Sequence, residues 1–180
     1  MKLHLPEVVD LNLPLEGVFH NCVIVSIEKR YPMQARRLMS ALWGMGQMSF
    51  VKIIVVVDAN IDVHNIDAVA DLVLGLPDLK RDTFFDNGIL DVLNHSSDKA
   101  LYGSKVGIDA TKKITGEPGF GIKELTNISI IPDIKSEVLR SYPDLSDCLI
   151  YNKEESRSIL FATLNKTTPH QSKNFIKSFF

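Results

Sequence analysis

Oxygen-bearing side chains alternate in Asp58-Ala59-Asn60-Ile61-Asp62, and that spacing opens a calcium loop. Such a loop needs a glycine at its sixth position and a glutamate at its twelfth. Val63 and Val69 stand there instead, which rules the cation out. Asp58 stays of interest because it ends an apolar, strand-like run, and ligands of open α/β sheets sit beyond strand C-termini. An Asx turn or a helix cap uses the same side chain. Gly44-Met45-Gly46 resembles a phosphate loop, but it follows a helical pattern and precedes a strand, the reverse of the order such loops require. It reads as a helix end and a turn. In Gly103-Ser104-Lys105-Val106-Gly107-Ile108-Asp109-Ala110-Thr111-Lys112-Lys113, Lys105 and Lys112 are candidate anion contacts, point charges set beside glycines. Solvated loop lysines are the plainer account of both. Asp109 is placed to anchor the loop by accepting backbone amides. His4, His20, His64, His95 and His170 share no metal-ligand spacing, and Cys22 and Cys148 form no CxxC pair, so both thiols read as buried. The residues alone give no catalytic group and no metal ligand.

The elements that must position these groups follow from periodicity. Residues 23–27 and 51–57 are short, β-branched apolar runs, the pattern of strands buried on both faces. Between them Ala35, Leu38, Met39, Leu42 and Trp43 recur at three-and-four spacing, one face of a helix, with Pro32 at its first turn. Ile66, Val69, Ala70, Val73 and Leu74 repeat that pattern, capped by Asn65 or Asp62. Residues 83–85 are a candidate third strand and 90–93 another short one. Residues 94–121, rich in glycine, read as a long loop, a feature usually functional or mobile in a compact domain. Beyond them come a short helix over 133–140, a hairpin of 149–151 with 159–164, and a tail whose Phe175, Ile176, Phe179 and Phe180 define an apolar helical face. That tail needs cover, from its own domain or from a partner subunit. The expected architecture is α/β: three layers, a mainly parallel sheet with helices on both faces, and a small C-terminal hairpin and helix addition. Residues 1–20 read as an extended lead-in from a preceding domain, 21–121 as the α/β domain and 122–180 as the addition.

The chain has 180 residues and a formal net charge of −2. That balance argues against nucleic acid, whose binders carry a basic face. No apolar run reaches the length of a membrane span, and the N-terminus carries acids and a proline where a signal peptide is apolar. A cytoplasmic protein is expected.

Four segments, in order, resemble the C-terminal domain of the UbiD-like carboxy-lyases, the 3-octaprenyl-4-hydroxybenzoate decarboxylase family. They are LPEVVDLNLPLEGVFHNCVIVSI, the helix YPMQARRLMSALWG with the following strand KIIVVVD, the triplet Arg81-Asp82-Thr83, and GSKVGIDATKKITGE. Together they cover residues 5–117; the segment beyond 121 departs from the pattern. The resemblance implies non-oxidative decarboxylation of aromatic or α,β-unsaturated acids, as in ubiquinone or menaquinone biosynthesis. It implies prenylated FMN held with Mn2+ and K+ as the cofactor. The acid-base constellation and metal ligands of that family lie in its flavin-binding domain and map onto no position here. The chain is therefore expected to bind no cofactor and to lack decarboxylase activity alone. Its expected partners are the flavin-binding domain of the same protein and further copies of itself, as a homo-oligomer. By the resemblance, Ser49, Leu90 and Val92 would wall the substrate pocket. Two rival readings are a stand-alone nucleotide-binding enzyme built on Asp58 and the 94–121 loop, and a pure oligomerisation module.

Overall fold

Alternation along two strands decides which face each side chain joins. In the computed structural model, residues 4–18, 21–76, 78–122, 134–154, 157–169 and 171–172 are described. Strand β2 (Cys22–Ile27) directs Val23, Val25 and Ile27 to one side of a sheet and Ile24 to the other. Strand β3 (Ile53–Asp58) does the same with Ile54 and Val56 against Val55 and Val57. Period two places successive side chains on opposite faces. The first set packs with Ala35, Leu38, Met39 and Leu42 of helix α1 (Gln34–Trp43). The second packs with Val69 of helix α2 (Ile66–Leu74) and with Val63 and Ala110. Asn65 caps α2, accepting the Ala68 N–H at 3.0 Å, the first of the two caps expected. Gly44 closes α1 and Gly46, at φ 48°, turns the chain toward β3.

The sheet departs from the expected one. Its five strands are β1 (Val8–Asn12), β2, β3, β4 (Thr83–Ile89) and β5 (Tyr102–Asp109), in the order β1-β2-β3-β5-β4. Only β2–β3 and β3–β5 are parallel; β1–β2 and β4–β5 are antiparallel. The sheet is mixed rather than mainly parallel. The physical reason lies in the connections. β1 and β4 reach their neighbours through links without a crossover helix, and such links reverse the chain. The lead-in thus contributes β1, and the third strand extends through Ile89. Residues 90–93 form no strand; 92 and 93 lie in a turn. A strand, β5, occupies the middle of the expected loop 94–121.

Glycine explains why β5 looked like a loop. A Cβ at Gly107 would stand 2.5 Å from the Met39 Sδ, and one at Gly103 would stand 2.5 Å from the Ser97 Oγ. These positions are strand residues whose missing side-chain volume is filled by neighbours.

The chain divides into two units, Met1–Lys123 and Glu124–Phe180. In the second, helix α4 (Ile134–Ser141) accompanies the antiparallel hairpin of β6 (Leu145–Glu154) and β7 (Arg157–Leu164). A single turn of helix, α3 (Leu79–Asp82), precedes β4 in the first unit. The expected apolar tail helix lies outside the described residues.

Overpacking a strand against α1 gives a direct test. Gly107→Ala is expected to destabilise the first unit by about 1–3 kcal/mol, read by urea unfolding through the sole tryptophan, Trp43. In a Met39→Ala background the same change should cost much less; an equal cost in both would show that Met39 is not the obstacle.

Candidate functional site

The three parallel strands end at Ile27, Asp58 and Asp109, and the segment 110–118 lies across those ends. Asp58 Oδ2 accepts the Lys112 N–H at 2.9 Å. Asp109 Oδ1 accepts the Thr111 N–H at 3.1 Å and its hydroxyl at 2.5 Å. Lys29, two residues past β2, donates to Thr111 Oγ1 at 2.8 Å, to the Lys112 carbonyl at 3.0 Å and to Glu117 Oε2 at 2.5 Å. Glu117 also accepts the Ile114 N–H at 2.9 Å and, on Oε1, the Met33 N–H at 2.7 Å. Met33 precedes α1 in the left-handed region, φ 64°, where a side chain costs energy unless its surroundings hold it. One carboxylate therefore joins the end of β2, the start of α1 and the 110–118 segment.

A second ionic group adjoins the first. Lys113 Nζ bridges Asp82 Oδ1 at 3.1 Å and Asp109 Oδ2 at 3.0 Å. Arg81 grips the Asp82 carboxylate through Nε at 2.8 Å and Nη2 at 2.5 Å. Burial pushes the Asp82 and Glu117 carboxyls up, but their bonded partners outweigh it. Arg81 and Lys113 hold Asp82 below its ordinary range, and Lys29 with the Ile114 and Met33 amides does so for Glu117. The hydrogen bond to Asp82 in turn raises Arg81 further above its ordinary value. These charges border a shallow, open cleft walled also by Met33, Arg36, Met39, Phe84 and Pro118.

The residues proposed from sequence are scattered. Ser49 sits in a 3₁₀ turn over Gly46–Phe50, its hydroxyl donating to the Gly46 carbonyl at 2.6 Å. Lys105 is buried; its ammonium donates to the Ser49 carbonyl and lies 5.9 Å from the centre of the Trp43 ring. Burial lowers its proton affinity, with Asp86 opposing. Lys112 is exposed and engages through its backbone. Lys105 thus ties β5 to the turn before β3. Leu90 is 0% exposed, a core residue, whereas Val92 is 72% exposed, so the two do not share a wall. Asp82, Glu117 and Lys29 were not singled out by sequence. Asp82 and Glu117 stand within the segments that carried the resemblance, but only the tertiary fold brings them to Lys113 and Lys29.

Chemically, this constellation is closed on itself. Asp82, Asp109 and Glu117 are all taken up by Arg81, Lys113, Lys29 or backbone amides, leaving no free carboxylate to ligate a metal. Among the described residues no three His, Cys, Asp or Glu side chains gather to hold one. Burial pushes the Cys22 thiol up to about 11, so it is protonated at neutral pH and a poor nucleophile. The residues here do not fit a flavin-metal centre.

The fold is similar to that of UbiD-class decarboxylases. Vanillic acid decarboxylase of Sedimentibacter hydroxybenzoicus, in its closed form, superposes with a TM-score of 0.61 at 26% identity, over 79% of this chain and 29% of that one. HmfF of Pelotomaculum thermopropionicum, a UbiD-class enzyme solved with FMN, gives 0.58 at 28% identity, over 78% and 30%. The sequence model of the 3-octaprenyl-4-hydroxybenzoate carboxy-lyase C-terminal domain matches residues 1–110, and the chain belongs to that family. An uncharacterized protein of Archaeoglobus fulgidus is 46% identical over 114 residues, 63% of this chain and 24% of that protein. One of Helicobacter pylori strain J99 is 28% identical over 166 residues, 89% of this chain and 27% of that protein. The chain thus spans about a quarter of the length of these relatives.

Glu117 gives a signed pH test. Its folded-state proton affinity is depressed, so its contribution is complete above the ordinary carboxylate range and disappears as pH falls through and below that range. Glu117→Gln leaves Lys29 buried without its counter-charge and is expected to cost about 3–5 kcal/mol at pH 7. Unfolding curves from pH 7 to 3 should show the gap between wild type and variant closing; a constant gap would show that Glu117 acts by shape alone.

Proposed function

We propose that this chain serves as the oligomerisation and pocket-closing C-terminal domain of a cytoplasmic, prenylated-FMN-dependent decarboxylase of aromatic acids, such as the 4-hydroxybenzoate derivatives of quinone biosynthesis. Flavin, Mn2+ and K+ are assigned to other polypeptide, since Asp82, Asp109 and Glu117 are engaged within the clasp. The bound cofactor would supply the electron sink for loss of carbon dioxide. The domain's own part is to exclude water and shape the apolar wall against which an aromatic ring lies.

The observation that carries this reading is an uncovered apolar tip on the sheet. Ile89 and Tyr102 are cross-strand partners, and the Leu90 N–H bonds the Leu101 carbonyl at 2.9 Å. Ile89, Val92, Leu93, Leu101 and Tyr102 are all exposed there. Phe85, four residues before Ile89 on the same strand, is exposed as well. A contiguous group of this kind marks a surface that meets another apolar surface. Val92, assigned to the pocket wall by resemblance, is part of it, whereas Leu90 supports the tip from beneath. A closing movement has a parallel in the Sedimentibacter enzyme, which is known in closed and open forms.

Val92→Asp in the whole protein that carries this domain is expected to lower decarboxylation of a hydroxybenzoate at least about tenfold. The thermal unfolding of the isolated chain should not change, because Val92 touches little in it. Unchanged turnover would remove the tip from the pocket. Flavin absorbance at stoichiometric yield in the purified 180-residue chain would overturn the assignment of the cofactor to other polypeptide.

A further inference from the structure

Among the described residues, the cleft beside α1 holds one cation, Arg36, with no carboxylate partner. Asp82, Asp109 and Glu117 each face a partner already named, and Lys113 divides its donors between Asp82 and Asp109. Arg36 differs. Its guanidinium carbon lies 3.8 Å from the centre of the Phe84 ring, and among the described residues no carboxylate pairs with it. A guanidinium stacked over an aromatic ring keeps its in-plane N–H donors for a planar oxyanion. A second donor adjoins it: Arg81 Nη1 is buried and has no acceptor among the described residues. The backbone of Gly119, at φ 87°, closes over that nitrogen. A buried cationic N–H without an acceptor is costly, so an oxygen reaching it beneath the 116–119 turn would be favoured. Its remaining wall is apolar, through Met33, Met39 and Phe84.

We propose that this cleft binds a small amphipathic oxyanion, its head group on Arg36 and its apolar body along Met33, Met39 and Phe84. The inference is independent of the decarboxylase reading, since it concerns only groups within this chain. The Arg36 contact requires no movement of the protein. Engagement of Arg81 requires the 116–119 turn to lift, and that turn carries Gly116 and Gly119 at φ 95° and 87°.

The test is an NMR titration of the isotope-labelled full chain with acetate, hexanoate and inorganic phosphate in parallel. Saturable shifts at Arg36, Phe84 and Gly119 are expected, with hexanoate at least about tenfold tighter than acetate. Arg36→Met should weaken hexanoate about tenfold or more, while Arg30→Met, which removes an exposed arginine paired with Glu28, should leave it unchanged. Arg36→Gln provides the same reading should the methionine variant lose the native spectrum. Saturable phosphate binding that depends on Arg36 would assign a phosphoryl head group; hexanoate binding without it assigns a carboxylate. Equal loss in the Arg30 and Arg36 variants, equal affinity for acetate and hexanoate, or shifts that never saturate would overturn the proposal.

Discussion

The Lys29–Glu117 ion pair, buried at both ends with side chains only 4% and 1% exposed, is the constraint on which this end of the molecule depends. Two charges withdrawn from water are tolerable only when their remaining donors and acceptors are also matched. Here they are: Lys29 reaches a hydroxyl and a carbonyl besides the carboxylate, and Glu117 takes two backbone amides. Because those partners come from three separate stretches of chain, the pair forms only when β2, α1 and the 110–118 segment stand in their native relation. The same pair accounts for the left-handed Met33, whose amide is aimed at Glu117 and is otherwise one of the unpaired donors of a helix start. Lys113, Asp82 and Arg81 extend the arrangement to the beginning of β4, so the C-terminal edge of the parallel strands is locked by charge rather than by apolar packing.

That edge is where an open α/β sheet ordinarily offers a ligand site. In this chain the 110–118 segment lies across it. Asp58, the residue that a nucleotide-binding reading relies on, holds the Lys112 amide, and the stretch expected to fold over a ligand contains β5. Those two observations leave this edge of the sheet occupied by the chain itself. They also explain how the cleft beside α1 comes to be lined by charge on one side and by methionine and phenylalanine on the other. The clasp supplies the charged side, and the uncovered end of the α1 packing supplies the rest.

Much of the centre was legible because single-element rules applied there. β2, α1, β3 and α2 declare themselves by period two and period 3.6, and Asn65 by its position before an apolar-periodic run. Asp109 as an anchor of the following segment likewise followed from local geometry. What escaped were features that neighbours create. β5 has the glycines of a loop because Met39 and Ser97 occupy the places of its side chains. β1 and β4 read as a lead-in and a fragment, yet they complete the sheet as antiparallel edges, a choice set by connection length and not by composition. Leu90 and Val92 look alike in sequence. One faces the interior and the other stands in a turn, a difference that depends on where β4 stops. The ionic clasp was the hardest to see, since Lys29, Asp82, Lys113 and Glu117 are each ordinary surface residues until the fold brings them together.

Charge and apolar surface are distributed in opposite senses across the first unit, and this bears on what the unit can do. The acids of its ionic clasp, Asp82, Asp109 and Glu117, are engaged by Arg81, Lys113, Lys29 or backbone amides. Its large apolar side chains at the β4–β5 end are left outside: Phe85, Ile89, Val92, Leu93, Leu101 and Tyr102. A reaction centre shows the reverse, reactive groups exposed in a cleft with apolar groups buried beneath them. On the proposed reading the inversion is functional. A domain that must close over another's cofactor gains from an interior too well neutralised to compete for protons, and from an outer surface that water leaves readily. Rigidity from the Glu117 clasp then serves to present that surface in one geometry, since a wall held loosely would lose the alignment that an aromatic substrate needs.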